Sequence, residues 1–213
     1  MASGDSRESA GGCILAWGTA RLMLKSSNIK ANIAKDADGG AIALLQDSTL
    51  EISGSSFEGN EAYSRGGAVF VGPAYETSTG AIAVTLFDEN LFISNSVRSG
   101  DGGAVFTYRI ISFAAGGLST IVHTRFVSNS APQGSGGGLA LYKIKLQVEN
   151  RHSIECDMNE ARFGGGIALL SGASLVLIKE LCPLACDQSR SIGDGTCHPE
   201  CFNRACRFVN HYL

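Results

Sequence analysis

Apolar and polar positions along this chain alternate in short runs, and nowhere do they settle into a helical rhythm. "STLEISGSSF" (48–57) and "IKLQVEN" (144–150) change character residue by residue, which a half-buried strand requires. Further short runs with strand character are "AIALL" (41–45), "AVFV" (68–71), "AVFTYRI" (104–110), "LALYKI" (139–144) and "IALL" (167–170). Most are followed by a second run, as in "STLEI" (48–52), "AIAVTLF" (81–87), "STIVHTRF" (119–126) and "SLVLI" (174–178). No segment sustains a 3.6-residue apolar period between caps, so helix is expected to be a minor component.

The runs recur in phase with two other marks. Gly-Gly followed by a small or apolar residue begins at Gly11, Gly39, Gly66, Gly102, Gly137 and Gly165, at spacings of 28, 27, 36, 35 and 28. From the second onward, each is preceded by an apolar residue with Asn three positions later: Ile29/Asn32, Phe57/Asn60, Phe92/Asn95, Phe126/Asn129 and Cys156/Asn159. Linked recurrence of this kind marks an internal repeat. A unit of about 27 residues holding two or three strands predicts one coil of a parallel β-helix, with about five coils in all. A leucine-rich repeat has similar length, but its leucine spacing and helical half are missing.

In such a stack, equivalent residues form columns about 4.8 Å apart. Phe57, Phe92 and Phe126, with Ile29 and Cys156, are expected as an inner apolar column. Asn32, Asn60, Asn95, Asn129 and Asn159 are expected as a ladder of side-chain amides. Gly39, Gly66, Gly102, Gly137 and Gly165 are expected at left-handed corners where a Cβ would clash. Asp38, Arg65 and Asp101 stand before consecutive Gly-Gly pairs and predict an alternating-sign ladder that fixes register, worth about 0–1 kcal/mol per pair if exposed; the functional alternative is an acidic substrate-binding cluster. The two long units place extra chain at 72–80 and 109–119, read as projecting loops and as the first place to look for a binding site.

Composition narrows the class. The chain has 213 residues, is 44% hydrophobic and 17% charged, and carries 27 Gly against 4 Pro. A net charge of −3 implies no bulk attraction to nucleic acid or anionic lipid. No stretch reaches the roughly 18 apolar residues of a membrane span. Residues 1–10 read as a polar leader with no signal-peptide core. Yet five of seven cysteines crowd into 182–206, as in an oxidised extracellular module. The conflict is resolved if the chain is a fragment, or an incomplete gene model, of a longer secreted or surface protein.

The paired marks "GGAI" or "GGAV" and "FEGN", "FISN", "FVSN" resemble the GGA[ILV] and FxxN repeats of polymorphic outer-membrane (autotransporter passenger) proteins, over about residues 11–178. The resemblance implies an all-β, right-handed, single-stranded parallel β-helix at the cell surface or outside the cell, used for adhesion or as a scaffold. It names no partner, so an unidentified protein or glycan is expected.

The segment 182–213 looks like a Notch-type cysteine repeat, carried by "IGDGTC" (192–197) and by the spacing on to Cys201 and Cys206. That likeness implies pairing of Cys182 with Cys206 and of Cys186 with Cys201, leaving Cys197 without a sixth cysteine. The calcium ligands that the family uses are not matched: His198, Phe202, Val209 and Tyr212 stand at their positions, and Asn203 falls one place late. A hard cation wants several oxygen ligands, so weak or no calcium binding is expected and no cofactor is assigned. A zinc site from Cys186, Cys197, His198, Cys201 and Cys206 is the alternative, but the spacing fits no common finger. Cys13 and Cys156 read as buried apolar residues.

Motifs for catalysis are sparse. The acids are scattered, the four histidines lack metal spacing, and "GSGGG" (134–138) lacks the central serine of a nucleophile elbow. The reading that follows is a non-catalytic surface segment. Its alternative is a pectin-lyase-like carbohydrate-active enzyme or glycan-binding module, since parallel β-helices host such chemistry.

Overall fold

The computed structural model describes residues 11–46, 48–72, 83–108, 120–122, 124–143, 145–148 and 154–177. These residues form β-strands and turns and no helix. The first repeat holds β1 (Ile14–Ala16), β2 (Arg21–Lys25), β3 (Asn28–Lys30) and β4 (Ile33–Ala34). The second holds β5 (Ile42–Leu45), β6 (Thr49–Ser53), β7 (Ser56–Glu58) and β8 (Glu61–Ala62). The third holds β9 (Val69–Gly72), β10 (Ala83–Asp88), β11 (Leu91–Ile93) and β12 (Ser96–Val97). The fourth holds β13 (Val105–Tyr108), β14 (Thr120–Val122), β15 (Thr124–Val127) and β16 (Ser130–Ser135). The fifth holds β17 (Leu139–Tyr142), β18 (Lys145–Val148), β19 (Ile154–Asp157) and β20 (Glu160–Phe163), and β21 (Ile167–Leu170) and β22 (Ser174–Leu177) follow.

All pairings are parallel and join strands four places apart, and β14 and β18 are the one such pair left unjoined among the described residues. The first sheet is β1-β5-β9-β13-β17-β21, the second β2-β6-β10-β14, the third β3-β7-β11-β15-β19 and the fourth β4-β8-β12-β16-β20, with β18 paired to β22. The chain thus visits four sheets in turn and returns to the first, one strand over. A repeat holds four short strands, where the sequence pattern predicts two or three. The difference lies in the fourth sheet, whose β4, β8 and β12 are only two residues long and too short to show any periodicity.

Register explains the residue choices. In β6, Leu50 and Ile52 point inward and are fully buried, whereas Thr49, Glu51 and Ser53 face outward and are half-buried. The inner face of the first sheet lines up Ile14, Ile42, Val69, Val105, Leu139 and Ile167. The third sheet lines up Ile29, Phe57, Phe92, Phe126 and Cys156. Together these columns make one apolar interior running the length of the stack.

One interior position is out of character. Thr107 shares a column with Leu44, Val71 and Leu141, is 2% exposed, and its Oγ1 has no hydrogen-bond partner. A buried hydroxyl without a partner is a net cost, so Thr107→Val is expected to stabilise the fold by about 1 kcal/mol. Thermal melting should show a midpoint a few degrees higher.

Candidate functional site

The described residues put their polar chemistry at the corners between sheets. A left-handed residue stands immediately before each Asn of the ladder: Ala31, Gly59, Ser94, Ser128 and Met158, with φ of 53°, 61°, 52°, 53° and 49°. This conformation turns the chain sharply, and the N–H that follows points toward the next repeat, where no backbone carbonyl takes it. A side-chain carbonyl from the following repeat then meets it.

Asn60 shows the pattern. Its N–H and one Nδ2–H both donate to Oδ1 of Asn95, at 3.0 and 2.9 Å, and its other Nδ2–H donates to the carbonyl of Ile29 at 3.1 Å. Asn95 repeats this with Asn129 (2.9 and 3.0 Å) and with the carbonyl of Phe57 (3.0 Å). Asn129 repeats it with Asn159 and Phe92, and Asn32 donates to Asn60. Each internal amide ties three repeats together and fills its bonding capacity, which is what makes a fully buried Asn tolerable. Asn60, Asn95 and Asn129 are all 0% exposed.

A second ladder has no counterpart in the sequence-based expectations. The N–H of Ser27 donates to Oγ of Ser55, the N–H of Ser55 donates to Oδ1 of Asn90, and Nδ2 of Asn90 donates to the carbonyl of Ile52, at 3.0, 3.0 and 2.9 Å. Buried Thr124 continues the column in the next repeat. Left-handed Ser26, Gly54 and Glu89 precede the first three members, as at the other corner.

Non-glycine residues pay for the left-handed turn in strain of about 1–2 kcal/mol. Met158 is 73% exposed at such a position. Met158→Gly is therefore expected to raise stability by about 0.5–1 kcal/mol, since little packing is lost. Urea unfolding of the two proteins measures this.

The glycine pairs act in two columns. Gly66 has φ of 63°, and a Cβ there would lie 2.2 Å from the carbonyl oxygen of Val69; at Gly67 it would lie 2.0 Å from that of Gly103. The first residue supplies the turn and the second lets adjacent repeats approach. In the last two repeats the left-handed residues are Gly136 and Gly164, one place earlier than the pairs read from sequence. Gly137 and Gly165 belong to the close-approach column: a Cβ on Gly137 would meet the carbonyl oxygen of Gly165 at 2.4 Å. Each of these two corners is a run of three glycines, which hides the phase.

The charge column is also rearranged. Nη2 and Nε of Arg65 donate to the two carboxylate oxygens of Asp38 at 2.8 and 3.2 Å, with both side chains largely buried. Oδ1 of Asp101 accepts from the N–H of Ser135 at 2.7 Å. The expected ladder of alternating sign is instead a half-buried bidentate pair and a separate carboxylate bound to backbone. Other ion pairs also join neighbouring repeats: Lys30 with Glu58, Arg98 with Glu61, and Arg125 with Glu155. Among the described residues, no group of three His, Cys, Asp or Glu side chains gathers where it could hold a metal ion.

The two described cysteines differ. Cys13 is exposed, against the expectation of a buried residue, because it precedes β1 at the first strand edge. Cys156 is half-buried at the end of the Phe column, and burial pushes its thiol up to about 12. Thiolate is the reactive form. A maleimide at pH 8 is expected to label Cys13 rapidly and Cys156 only on unfolding, read by peptide mapping. The raised value also means that folding holds a proton that the unfolded chain releases. Stability is therefore lost as pH rises from about 9 to about 12, by at most about 1.4 kcal/mol per pH unit, and Cys156→Val should remove that component.

Aromatic side chains make two stacks. The inner one places Phe57 and Phe92 at 4.9 Å between centroids and Phe92 and Phe126 at 5.1 Å, nearly parallel. The outer one was not anticipated. Phe70 and Phe106 stack at 5.7 Å, Tyr108 and Tyr142 at 4.6 Å. The guanidinium of Arg65 lies 4.8 and 5.3 Å over Phe70 and Phe106. With Ala43, Leu45 and Ala140 these rings form a second apolar cluster on the outward face of the first sheet, flanked by Tyr108, Tyr142 and Leu170.

Cys182, Cys186, Cys197, Cys201 and Cys206, His198 and the insertions 73–80 and 109–119 lie outside the described residues. No helix of the described residues is long and apolar enough to cross a membrane. Comparison with protein-family models, with curated proteins and with solved structures finds no match to this chain.

Proposed function

We propose that the parallel sheets form a right-handed single-stranded β-helix resembling the repeats of polymorphic outer-membrane proteins. It serves as a non-catalytic extracellular or cell-surface segment of a larger protein, for adhesion or as a scaffold. One observation supports this reading above others: the described polar and charged side chains join repeat to repeat. The buried amides face the next repeat, and the ion pairs bridge neighbouring repeats, Lys30–Glu58 and Arg125–Glu155 from strand to strand and Arg65–Asp38 from corner to corner. Such an arrangement supplies stiffness and a long repetitive surface, which suits a segment that holds a binding element away from its anchor.

The second reading, a carbohydrate-active module, is favoured by Asp101 alone, since it stands on a corner column next to the glycine pairs. Its Oδ1 is already engaged by the N–H of Ser135. A glycan array combined with a polysaccharide depolymerisation assay separates the two. The proposal expects binding at most, with no change in polymer length. Depolymerisation that Asp101→Asn abolishes would overturn it, because that variant keeps the amide-accepting oxygen and removes only the charge.

A further inference from the structure

Among the described residues, every large apolar side chain left exposed, Tyr63 aside, belongs to one end of the stack. Leu15, Trp17, Met23 and Ile33 stand in the first repeat, and Met158, Phe163 and Leu169 on or beside β19–β21. The interior is bare at both ends too. Ile14, Leu22, Leu24 and Ile29 are half-buried, whereas their neighbours in register, Ile42, Leu50, Ile52 and Phe57, are 0–1% exposed. Leu169 is 48% exposed, although Leu141 beside it in the same column is 1% exposed. Strands β1 to β4 have a hydrogen-bonded neighbour on one side only, as do β19 to β22. Open strand edges are templates for further pairing.

The two ends also differ in charge. β1 to β4 hold Arg21, Lys25 and Lys30 and no acid. β19 to β22 hold Glu155, Asp157 and Glu160 against Arg162 alone. Lys30 keeps 51% of its side chain exposed even while paired with Glu58. We propose that the head of the stack, β1 to β4, docks on the tail, β19 to β22, of a second copy of this chain. Head against head would oppose like cations, and tail against tail would oppose like carboxylates; head against tail attracts. The seat is β1 on β21, which carries the first sheet from one copy into the next, with β2 beside β22. β3 stands half a repeat above β1, and β19 half a repeat below β21. These two strands therefore lie two strand spacings apart, about 10 Å. Lys30 and Asp157, the two ends of one column, face each other across that gap, which side chains bridge and backbones do not. Unlike surfaces joined this way do not close, so the product is an open series of copies.

The full chain carries a probe of its own, because its one tryptophan is Trp17, 48% exposed at the head. Trp17 emission and acrylamide quenching are followed over about 1–100 µM protein, with sedimentation velocity on the same samples. The proposal expects a blue shift, quenching weakened several-fold, and species growing past the dimer as concentration rises. Lys30→Glu and Asp157→Lys, both at exposed positions, should each weaken assembly several-fold. An equal mixture of the two variants should restore it, since each supplies the charge the other's end then needs. A monomer at every concentration, assembly that stops at the dimer, assembly with no change at Trp17, or a mixture no better than either variant would each overturn the proposal.

Discussion

Asn95→Ala is expected to lower unfolding free energy by about 3 kcal/mol or more, the larger of the effects anticipated among polar positions. The residue is 0% exposed. Removing its amide strands the N–H and one Nδ2–H of Asn60, which share its Oδ1, and leaves the carbonyl of Phe57 without that donor. Buried groups left without partners cost about 1–3 kcal/mol each, more than the net worth of the bonds themselves. Asn32→Ala supplies the internal comparison. It sits at the end of the ladder, half-exposed, and strands nothing that water cannot reach, so about 0.5–1 kcal/mol is expected. Asn95→Asp should also be damaging, because a second oxygen would face the carbonyl of Phe57 and Oδ1 of Asn129. Urea unfolding of the three proteins gives the ordering directly.

Phe92→Ala should be at least as severe, at about 3–5 kcal/mol. Its ring is 0% exposed and lies between Phe57 and Phe126 with centroids 4.9 and 5.1 Å away. Strands on either side are held by backbone hydrogen bonds at a fixed spacing, so the stack cannot collapse into the gap. The loss therefore combines transfer of the ring with a cavity that stays open. Phe92→Leu keeps most of the volume and should cost roughly half as much or less. A cost for Phe92→Ala below about 1 kcal/mol would mean that the ring is not enclosed as described.

The parts of this fold that show in the sequence are those where one column keeps one residue type. Phe57, Phe92 and Phe126 share a register, as do the Asn residues three places after them, because stacked rings and stacked amides each favour like upon like. The second ladder escaped notice because its column changes chemistry from Ser27 and Ser55 to Asn90 and Thr124, and only buried geometry shows that a hydroxyl and an amide do one job. The fourth strand is invisible in the first three repeats for a different reason: β4, β8 and β12 hold two residues each, and two residues carry no period. The glycine phase slipped at 136–138 and 164–166, where three identical residues fit either alignment. The outward core of the first sheet had a signal in hand. "AIALL", "AVFV" and "LALY" lack the alternation seen in "STLEIS", and unbroken apolar runs in a parallel sheet indicate cover on both faces. The sequence pattern sets Arg65 between Asp38 and Asp101 but carries no sign of its burial, which comes from bidentate pairing with Asp38 and from the two rings beneath it.

The central claim is that residues about one repeat apart in sequence are nearest neighbours in space. Nuclear Overhauser effects between the rings of Phe57, Phe92 and Phe126, with those from the Asn95 side-chain amide to Asn60 and Asn129, measure it most directly. The account predicts strong ring-to-ring and amide-to-amide signals between these residues, which lie 34 or 35 positions apart along the chain. Signals confined to sequence neighbours, with none linking one repeat to the next, would contradict it.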